Sequence, residues 1–390
     1  MNIVVVCLQI AFWSSLALVI YSYLLYPGLL PVLARFFGRP TIKNDGHCPR
    51  VAALVPVYNE EKVIRLKIEN LLALDYPADR LEIWVGSDCS TDATHDIVRG
   101  FKSDRVHLWT AARRGGKTEV LNHLAPLIDA EVILFTDANT MHRPDSLRKL
   151  VRSFADPTVG GVAGSIKHRS GKQEKEEQLY RSFESKQKFF ESRLHSSISA
   201  FGGFYSIRSS LFRPLHYNAY SNDDVLIPMN IIRLNHRVVF EPEAISEEDM
   251  TESIAHEFAR RIRIGAGNFQ AFFWLLDFLH PGRGWPWFCY FSHKVTRWFS
   301  PFLLGTAFVC SGILWFLTSA TVFLAVPLAG ALFIATGLSF LVIPVRITRP
   351  AFYFLSMNTA LVLGLLRYCK GIQSAAWTRT ERDTERLNNR

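Results

Sequence analysis

The two ends of the chain carry apolar stretches that are too long for an ordinary globular core. Ile3–Leu25 is almost entirely apolar, and a helix of that length, at about 1.5 Å per residue, crosses a hydrocarbon layer about 30 Å thick. A cleaved signal peptide is the alternative, but no positive segment precedes the stretch and no small-x-small site ends it. Phe299–Ala320 and Thr321–Ile343 predict two more spans, and Ala351–Leu366 is a shorter candidate. We therefore expect an integral membrane protein.

Basic residues predict the side of the membrane on which the central part of the chain lies. Arg35, Arg39, Lys43 and Arg50 follow the first span, and positive charge accumulates on the cytoplasmic side of spans. The central domain is therefore expected in the cytoplasm, at an inner or plasma membrane. The basic tail favours the same side, although three later spans would place it outside. The C-terminal region is therefore expected to hold two or three spans, with the last apolar segment either a span or a re-entrant or interfacial segment.

Composition narrows the class of protein. The 390 residues carry a net charge of +9, which suits nucleic acid, an anionic membrane surface or a phosphorylated substrate. No nucleic-acid-binding motif accompanies the charge, so membrane lipid and a phosphorylated substrate are the expected partners and nucleic acid is not. The six cysteines are scattered without a Cys-x-x-Cys pair. Their spacing argues against a zinc site or a disulfide framework and fits a reducing compartment.

Between the spans, short apolar runs alternate with segments of helical spacing. Val51–Val57, Leu81–Gly86, Val106–Trp109 and Val132–Phe135 have the length and composition of buried strands. This alternation predicts an α/β fold with a doubly wound, mostly parallel sheet. Ligands bind such sheets at the carboxyl ends of the strands, and polar residues follow two of these runs.

The order of the segments predicts the domain organisation. The expected regions are an N-terminal transmembrane helix (1–26), a basic connector (27–50), a cytoplasmic domain (51–267), interfacial helices (268–298), a C-terminal transmembrane region (299–369) and a polar basic tail (370–390). The charged stretch Glu174–Glu191 is expected to be a solvated surface helix. Asn268–Leu279 is too short to span and predicts an interfacial helix, with Trp285, Trp287 and Trp298 at the membrane interface.

Polar residues suited to a diphosphate ligand follow the predicted strands. Asp88 lies in a polar loop after the second run, where contact with a nucleotide and helix capping explain it equally well. Asp137 and Asn139 follow the fourth run and offer the oxygen ligands that Mg²⁺ or Mn²⁺ prefers. Arg113–Lys117 combines glycine amides with a lysine before a helix, which suits either phosphate or an exposed basic turn.

Two more clusters have both a functional and a structural explanation. Asp223 and Asp224 precede an apolar run, where a carboxylate can accept a proton from an attacking hydroxyl or can complement a helix dipole. Arg260, Arg261 and Arg263 suit the oxygens of a diphosphate, or they are juxtamembrane charge. Each cluster alone is weak evidence for a function. The order in which all of them occur along the chain is more specific.

That order resembles the family 2 glycosyltransferases. The motifs are Val55-Pro56-Val57-Tyr58-Asn59-Glu60-Glu61, Asp88-Cys89-Ser90-Thr91-Asp92, Asp137-Ala138-Asn139, Asp223-Asp224 and Arg260-Arg261-Ile262-Arg263. The resemblance covers roughly Val51 to Trp298 and is strongest to the membrane-integrated branch of cellulose, chitin, hyaluronan and poly-N-acetylglucosamine synthases. It implies a nucleotide-diphospho-sugar transferase fold of the GT-A type, a divalent cation (Mg²⁺ or Mn²⁺) and direct displacement with inversion at the anomeric carbon.

The resemblance also implies roles for single residues. Those expected to bind the nucleotide-sugar donor are Pro56, Tyr58, Glu60, Asp88, Lys117, Asp137 and Arg260. Those expected in catalysis are Asp224 as the general base, Asp223 in support, and Arg261 and Arg263 closing over the diphosphate. The metal is expected at Asp137 and Asn139. The acceptor sugar is expected at Gly202, Gly203 and Phe204.

Two departures from the family pattern bear on the product. Asn139 stands where a second metal-binding aspartate is usual, which weakens its assignment as a ligand. Arg260 and Ile264 stand where processive synthases carry Gln and Trp, which argues against synthesis of a long chain. We therefore expect transfer of one or a few sugars, first of all from a UDP-sugar, to a glycan or lipid-linked acceptor in extracellular polysaccharide or cell-envelope glycan biosynthesis.

Three alternatives stay open at this point. They are a processive β-polysaccharide synthase, a polyprenyl-phosphate sugar transferase and a non-catalytic subunit of a synthase complex. The Asp223-Asp224 pair and the arginines argue against the second, which needs neither, and the full set of acidic residues argues against the third. Other biosynthesis or export proteins are compatible partners in each case.

Overall fold

The computed structural model describes residues 3–168, 175–248, 254–343, 345 and 347–371. These residues form two compact units, one of Val32–His256 and one of Met1–Pro31 with Glu257–Lys370. In chain order the α-helices are α1 (Ile3–Ile20), α2 (Tyr26–Phe37), α3 (Ile64–Leu72), α4 (Thr94–Arg99), α5 (Lys117–Leu124), α6 (Ser146–Val151), α7 (Lys175–Leu194), α8 (Asp223–Arg233), α9 (Ile254–Trp274), α10 (Trp285–Cys289), α11 (Thr296–Trp298), α12 (Ser300–Thr318), α13 (Val322–Ser339) and α14 (Arg349–Cys369).

The unit Val32–His256 is built on one eight-stranded sheet. Its strands are β1 (Val51–Val57), β2 (Leu81–Ser87), β3 (Val106–Thr110), β4 (Val132–Phe135), β5 (Thr140–His142), β6 (Val159–His168), β7 (Tyr205–Arg208) and β8 (Arg237–Glu248). Their order in the sheet is β3-β2-β1-β4-β7-β6-β8-β5. The half β3-β2-β1-β4 is parallel, whereas β7 runs antiparallel to both of its neighbours and β5 runs antiparallel to β8. The predicted α/β class is confirmed, with a mixed sheet.

The central strands are buried because helices cover both faces of the parallel half. All residues of β1 and β4 are buried, as expected for strands with no solvent-facing side. On one face Val55 and its alternate neighbours pack with Ile68 of α3. On the other face α5 packs so closely on β2 that a methyl group at Gly86 would collide with Val120 and Leu124. This packing fixes the helix starts beside the strand ends.

The expectation that Glu174–Glu191 is a solvated surface helix is wrong for the part of α7 whose side chains are described. Glu184, Lys188 and Glu191 are buried in the domain. The Lys188 ammonium lies 3.8 Å from the Glu184 carboxylate and donates to the Ser199 carbonyl oxygen at 3.1 Å. Charge along a helix therefore does not indicate solvent here, because the charged groups have partners inside the domain.

The other unit contains apolar helices. Among the described residues, four helices are long and apolar enough to cross a membrane by length and composition: Ile3–Phe37, α12, α13 and α14. The first continues past Leu25 to Phe37 through a π-helical turn. The last is longer than the predicted segment Ala351–Leu366 and meets the same criteria as the others.

The interfacial segment differs from the sequence expectation. Asn268 does not begin a separate helix, because α9 runs without a break from Ile254 to Trp274 and a short 3₁₀ turn follows at Leu276–Leu279. The arginines Arg260, Arg261 and Arg263 lie on this same helix. Trp298 is buried within its unit and is a packing residue rather than a fully exposed interfacial aromatic.

Candidate active site

Four acidic and basic residues from distant parts of the chain meet at the carboxyl end of the parallel strands. They are Asp137, Asp223, Asp224 and Lys117, and we call them the acidic cluster. Lys117 opens α5, and its ammonium nitrogen lies 3.0 Å from Asp137 Oδ1 and 3.2 Å from Asp223 Oδ2. Burial by itself lowers the pKa of Lys117, but Asp137 and Asp223 outweigh that effect and raise the pKa above its ordinary value. The ammonium therefore stays charged between the two carboxylates.

The two neighbouring aspartates of α8 have different surroundings. Asp223 Oδ2 also accepts a hydrogen bond from the Tyr205 hydroxyl at 2.9 Å, and burial together with Asp223 raises the pKa of Tyr205, so the phenol keeps its proton. Asp224 is more exposed than Asp223. Its carboxylate lies beside Gly202, where an added methyl group would be 3.6 Å from Asp224 Oδ2. Asp223 is thus tied to protein donors, while Asp224 borders the glycine loop.

The structure gives Asp88 a partner other than a helix cap, one of the two roles that its sequence position suggests. Its buried carboxylate accepts hydrogen bonds from the backbone of Gly115 at 2.7 Å and of Gly116 at 3.0 Å. At the start of α4 it is Asp92 that accepts from the backbone of Thr94, at 3.0 Å. Asp88 therefore fixes the glycine turn that precedes Lys117. Its predicted contact with the nucleotide stays a prediction.

The strand-end loop after β1 meets the same glycine turn. The Arg114 guanidinium lies 3.5 Å from the centroid of the Tyr58 ring, close enough for a cation–π contact. Glu60 is half-buried, and its backbone donates to Thr94 Oγ1 at 2.9 Å. Pro56 is buried inside β1. Of these predicted donor residues, Tyr58 and Glu60 have partly exposed side chains.

The predicted metal residues Asp137 and Asn139 point to different partners. Asn139 donates to Glu248 Oε1 at 3.2 Å, whereas the Asp137 side chain is 36% exposed. No group of three or more His, Cys, Asp or Glu side chains suited to a metal occurs among the described residues. Mg²⁺ is commonly held by one or two carboxylates together with substrate phosphates and waters. Asp137 fits that arrangement as the protein ligand of a cation that arrives with a diphosphate.

Comparison with known proteins places this site in a family. Residues 52–215 match the family model described as Glycosyl transferase family 2, and the matched segment includes Asp88, Lys117 and Asp137. The chain carries a family 2 glycosyltransferase domain. Asp223 and Asp224 of the acidic cluster lie beyond the matched residues.

Curated relatives agree with the family. The β-monoglucosyldiacylglycerol synthase of Nostoc sp. is 32% identical over 164 residues, which is 40% of this chain and 34% of the relative. The Synechocystis sp. enzyme of the same name is 35% identical over 118 residues, or 29% and 25% of the two chains. The hyaluronan synthase of Streptococcus pyogenes serotype M3 is 28% identical over 157 residues, or 39% and 38%. The matches therefore span less than two-fifths of each of these relatives.

A solved structure shows the fold of the glycosyltransferase domain. The mannosyltransferase PcManGT from Pyrobaculum calidifontis, in complex with GDP-Man and Mn²⁺, matches with a TM-score of 0.71 at 22% identity, covering 94% of this chain and 97% of that chain. The mixed sheet of β1–β8 is that of a GT-A nucleotide-sugar transferase, as expected.

The predicted acceptor loop of the glycosyltransferase domain is only partly open. Gly202 borders the Asp224 carboxylate, and a side chain at Gly203 would collide with the Thr140 side chain. Phe204 is fully buried, with its ring centroid 4.5 Å from that of His142. The Phe204 side chain therefore belongs to the core, and the expected contact of this loop with an acceptor stays a prediction.

The arginine segment, Arg260–Arg263, lies on α9. Glu257 accepts from Arg260 Nε and from Arg261 Nε, each at 2.8 Å. Arg261 also donates through Nη2 to the Tyr353 hydroxyl of α14 at 2.6 Å. The expected contact of these arginines with a diphosphate stays a prediction.

Sequence patterns missed two kinds of residue at or beside the site. Tyr205 and Lys67 lie in apolar or helical segments without a local signal, although both contact residues of the site. Asn59, Cys89 and Asn222 have positive φ angles of 52°, 60° and 69°. Non-glycine residues in this conformation concentrate at functional sites. Asparagine tolerates the left-handed region and so carries a weak signal, whereas nothing in the sequence marks Cys89.

Proposed function

We propose that this protein is a membrane-bound, inverting glycosyltransferase that moves one or a few sugars from a nucleotide-diphospho-sugar to a lipid-linked or glycan acceptor. The observation that carries the proposal is the contact of Lys117 with both Asp137 and Asp223, at the strand end where α/β sheets bind ligands. A carboxylate for a cation, an ammonium for a diphosphate and a neighbouring carboxylate for a hydroxyl proton then lie within one cluster.

Asp224 is the proposed general base. The acceptor hydroxyl oxygen attacks the anomeric carbon, the bond from that carbon to the diphosphate oxygen breaks, and the hydroxyl proton passes to the Asp224 carboxylate. Asp224 suits this role because its side chain is more exposed than that of Asp223 and lies beside Gly202 of the predicted acceptor loop. Attack opposite to the leaving diphosphate inverts the configuration of the anomeric carbon.

Lys117 and Asp137 are the proposed diphosphate residues. An arriving diphosphate offers the Lys117 ammonium new anionic partners, so the lysine can turn from the aspartates to the leaving group. Asp137 would hold Mg²⁺ or Mn²⁺, which when bound supplies charge neutralisation of the leaving diphosphate, worth several kcal/mol in such reactions. Arg261 and Arg263 are proposed to add guanidinium contacts to the same diphosphate.

A lipid hydroxyl is the acceptor that we favour. Two of the relatives described above are named for synthesis of a glucosyldiacylglycerol, and the apolar helices suit an acceptor that is drawn from the membrane. Arg260 and Ile264 depart from the processive pattern, which argues for a short product. The domain is proposed to face the cytoplasm, because basic residues follow the first span.

Donor screening tests the function. Purified full-length protein is incubated with UDP-, GDP- and dTDP-sugars, with and without diacylglycerol or membrane lipid extract, and with Mn²⁺, Mg²⁺ or excess EDTA. We expect one donor class, UDP-sugars first, to give a metal-dependent short glycolipid whose new linkage is β when the donor is α, as seen by NMR.

Other outcomes separate the alternatives. A long polymer would indicate a processive synthase, and strict dependence on polyprenyl phosphate would indicate a polyprenyl-phosphate sugar transferase. Undiminished transfer in EDTA would remove the metal from the proposal, and retention of configuration would contradict direct displacement. No transfer with any donor, from protein that still binds Mn²⁺ and a nucleoside diphosphate, would point to a non-catalytic subunit.

A further inference from the structure

Lys67 is a lysine without solvent exposure in the glycosyltransferase domain. It lies on α3, and its side chain is 0% exposed. Lysine is almost never fully buried unless it is paired, because its ammonium loses hydration. Burial lowers the pKa of Lys67 to about 7, although the charges of Asp137 and Glu248 oppose that shift. A group held at such a cost is expected to have a role beyond packing.

Lys67 has three acceptor atoms around its nitrogen, one for each N–H donor of an ammonium. Its nitrogen donates to Thr136 Oγ1 at 2.7 Å and to the carbonyl oxygen of Thr140, and it lies 3.1 Å from His142 Nε2. An ammonium has three protons and no acceptor. His142 Nδ1 lies 2.6 Å from Ser246 Oγ, so Nδ1 can carry the ring proton and leave Nε2 free to accept. Burial and the neighbouring Lys67 lower the pKa of His142, which keeps the ring neutral.

Two of these three acceptors, on Thr136 and Thr140, flank the predicted metal motif. Thr136 directly precedes Asp137, and Thr140 directly follows Asn139. The turn between them closes through the backbone of Thr140, which donates to the Asp137 carbonyl oxygen at 3.2 Å. Lys67 therefore ties together the two ends of the segment that presents the Asp137 carboxylate, from the side opposite to solvent.

We propose that Lys67 is a positioning residue that holds the Thr136–Thr140 turn so that Asp137 meets the cation of a metal–diphosphate donor. The inference rests on the proposed function, in that Asp137 is taken as the protein ligand of the cation. Outer-shell partners of this kind commonly change metal affinity about 10- to 100-fold when they are removed.

The direction in which cation affinity changes when the Lys67 ammonium is removed distinguishes a positioning role from a purely electrostatic one. When Lys67 is protonated it places a positive charge near the cation site, so loss of that charge alone should tighten cation binding. Loss of the tie between Thr136 and Thr140 should weaken it. Weaker binding in a folded variant is therefore the result that only the positioning role gives.

The experiment measures Mn²⁺ binding to full-length protein in detergent, by EPR of free Mn²⁺, in the presence of UDP or GDP. Lys67→Met keeps the length of the side chain and removes the ammonium. The matched control is Lys188→Met, because Lys188 is another buried lysine of the same domain and bonds to Ser199 instead of the metal motif. We expect Lys67→Met to weaken Mn²⁺ binding at least about tenfold and Lys188→Met to leave it unchanged, with both variants folded by thermal unfolding.

Two further variants keep the result decisive. Thr136→Val preserves shape and removes one acceptor of Lys67, so it should weaken Mn²⁺ binding by a smaller factor even if Lys67→Met fails to fold. Unchanged or tighter binding in the folded Lys67→Met protein, or in Thr136→Val if that protein alone folds, overturns the inference. Asp137→Ala separates a failure of the proposed function from a failure of the Lys67 inference. If Asp137→Ala keeps full Mn²⁺ binding, Asp137 is not the cation ligand, and the role of Lys67 fails with that assignment. If Asp137→Ala loses Mn²⁺ binding but Lys67→Met does not, only the role of Lys67 fails.

Discussion

The acidic cluster and the arginine segment carry opposite charges, and they are also built in opposite ways. In the cluster, Lys117, Asp137 and Asp223 come from separate loops and helix starts and are joined through the Lys117 ammonium, while Asp224 adjoins Asp223 on α8. The arginine segment is a continuous stretch of α9, in which Glu257 pairs with arginines three and four residues later. One region depends on the whole domain for its geometry, whereas the other obtains most of it from helical spacing.

The difference predicts how each region responds to substitution. In the cluster, each side chain has partners that are distant in sequence, so an isosteric change removes chemistry while the loops stay in place. On α9 the backbone is a regular helix, and Arg261 bonds to two side chains, Glu257 and Tyr353. Substitutions in the cluster should therefore give the larger losses of turnover, and substitutions of arginine partners the smaller ones.

The largest expected effect is that of Asp224→Asn. This change keeps the shape of the side chain and removes its basicity, so the acceptor hydroxyl loses its proton acceptor. Positioned general bases typically contribute about 10²- to 10⁴-fold, and we expect transfer to fall by at least about 100-fold while nucleotide binding stays nearly intact. Transfer rate and nucleotide binding by calorimetry are measured on one preparation.

Asp223→Asn is the comparison for that prediction. It removes the charge partner of Lys117 and the acceptor of Tyr205, so it should disturb donor binding more than Asp224→Asn does. Near-normal transfer by Asp224→Asn together with an inactive Asp223→Asn would show that Asp223, and not Asp224, is the general base. Near-normal transfer by both would take the pair out of the mechanism.

The contrast between the two regions also explains which features the sequence could predict. β1 and β4 were predicted with their observed bounds because Val51–Val57 and Val132–Phe135 are uninterrupted apolar runs ended by polar residues. Asp137 was expected at a strand end for the same reason. Local pattern suffices when a single segment determines its own structure.

Long-range partners were outside the reach of local pattern. Asp88 bonds to Gly115 and Gly116, and no spacing rule links an aspartate to amides so far along the chain. The charged sequence of α7 predicts a solvated helix because Ser199, the partner of Lys188, lies in a different segment. Phe204 belongs to a glycine-rich motif in the sequence, but only the fold shows that its ring packs on His142.

The next largest effect is expected in the arginine segment. If Arg261 contacts the leaving diphosphate, Arg261→Ala removes charge-assisted hydrogen bonds that are worth about 1.5–3 kcal/mol each, so turnover should fall about 10- to 100-fold. Membrane association should not change, because the apolar helices remain. The control is Arg283→Ala, an arginine of the same unit that pairs with Asp277. Equal losses in both variants, or release of Arg261→Ala from membranes, would favour a juxtamembrane role.

A smaller effect is expected from the partner of Arg261. Tyr353 accepts from Arg261 Nη2 at 2.6 Å, and its ring centroid lies 4.4 Å from the guanidinium carbon. The helices α9 and α14 meet at two glycines, where a methyl group on Gly364 would be 2.8 Å from the Gly265 Cα. Tyr353→Phe keeps this packing and removes one hydrogen bond, so turnover should fall roughly three- to tenfold.

Tyr368→Phe is the control for Tyr353→Phe, since Tyr368 lies on the same helix and stacks on Phe273. We expect normal turnover from the control and unchanged donor binding in both proteins. A Tyr353→Phe enzyme as active as the parent would show that helical spacing and Glu257 alone hold Arg261.

The smallest expected effect concerns backbone strain, which again separates the two regions. Asn59, Cys89, Gly116 and Asn222 have positive φ angles in the loops and helix starts around the cluster, whereas no described residue of α9 does. The strain energy is largest at Cys89, because a residue other than glycine or asparagine costs about 1–2 kcal/mol in the left-handed region.

Cys89→Gly should therefore raise the melting temperature of the purified protein, although only slightly. Glycine removes the strain but costs roughly 0.5–1 kcal/mol through the entropy of the unfolded chain, so a net gain of up to about 1 kcal/mol is left. For a domain of this size that gain corresponds to a shift of about 2–4 °C at most. The control is Asn235→Gly, an exposed asparagine with a φ of 62°, where asparagine already tolerates the conformation and the shift should be near zero. A lower melting temperature for Cys89→Gly would mean that contacts of the thiol outweigh the strain. Side-chain contacts would then stabilise the loop after β2, just as Glu257 and Tyr353 stabilise the position of Arg261 on α9.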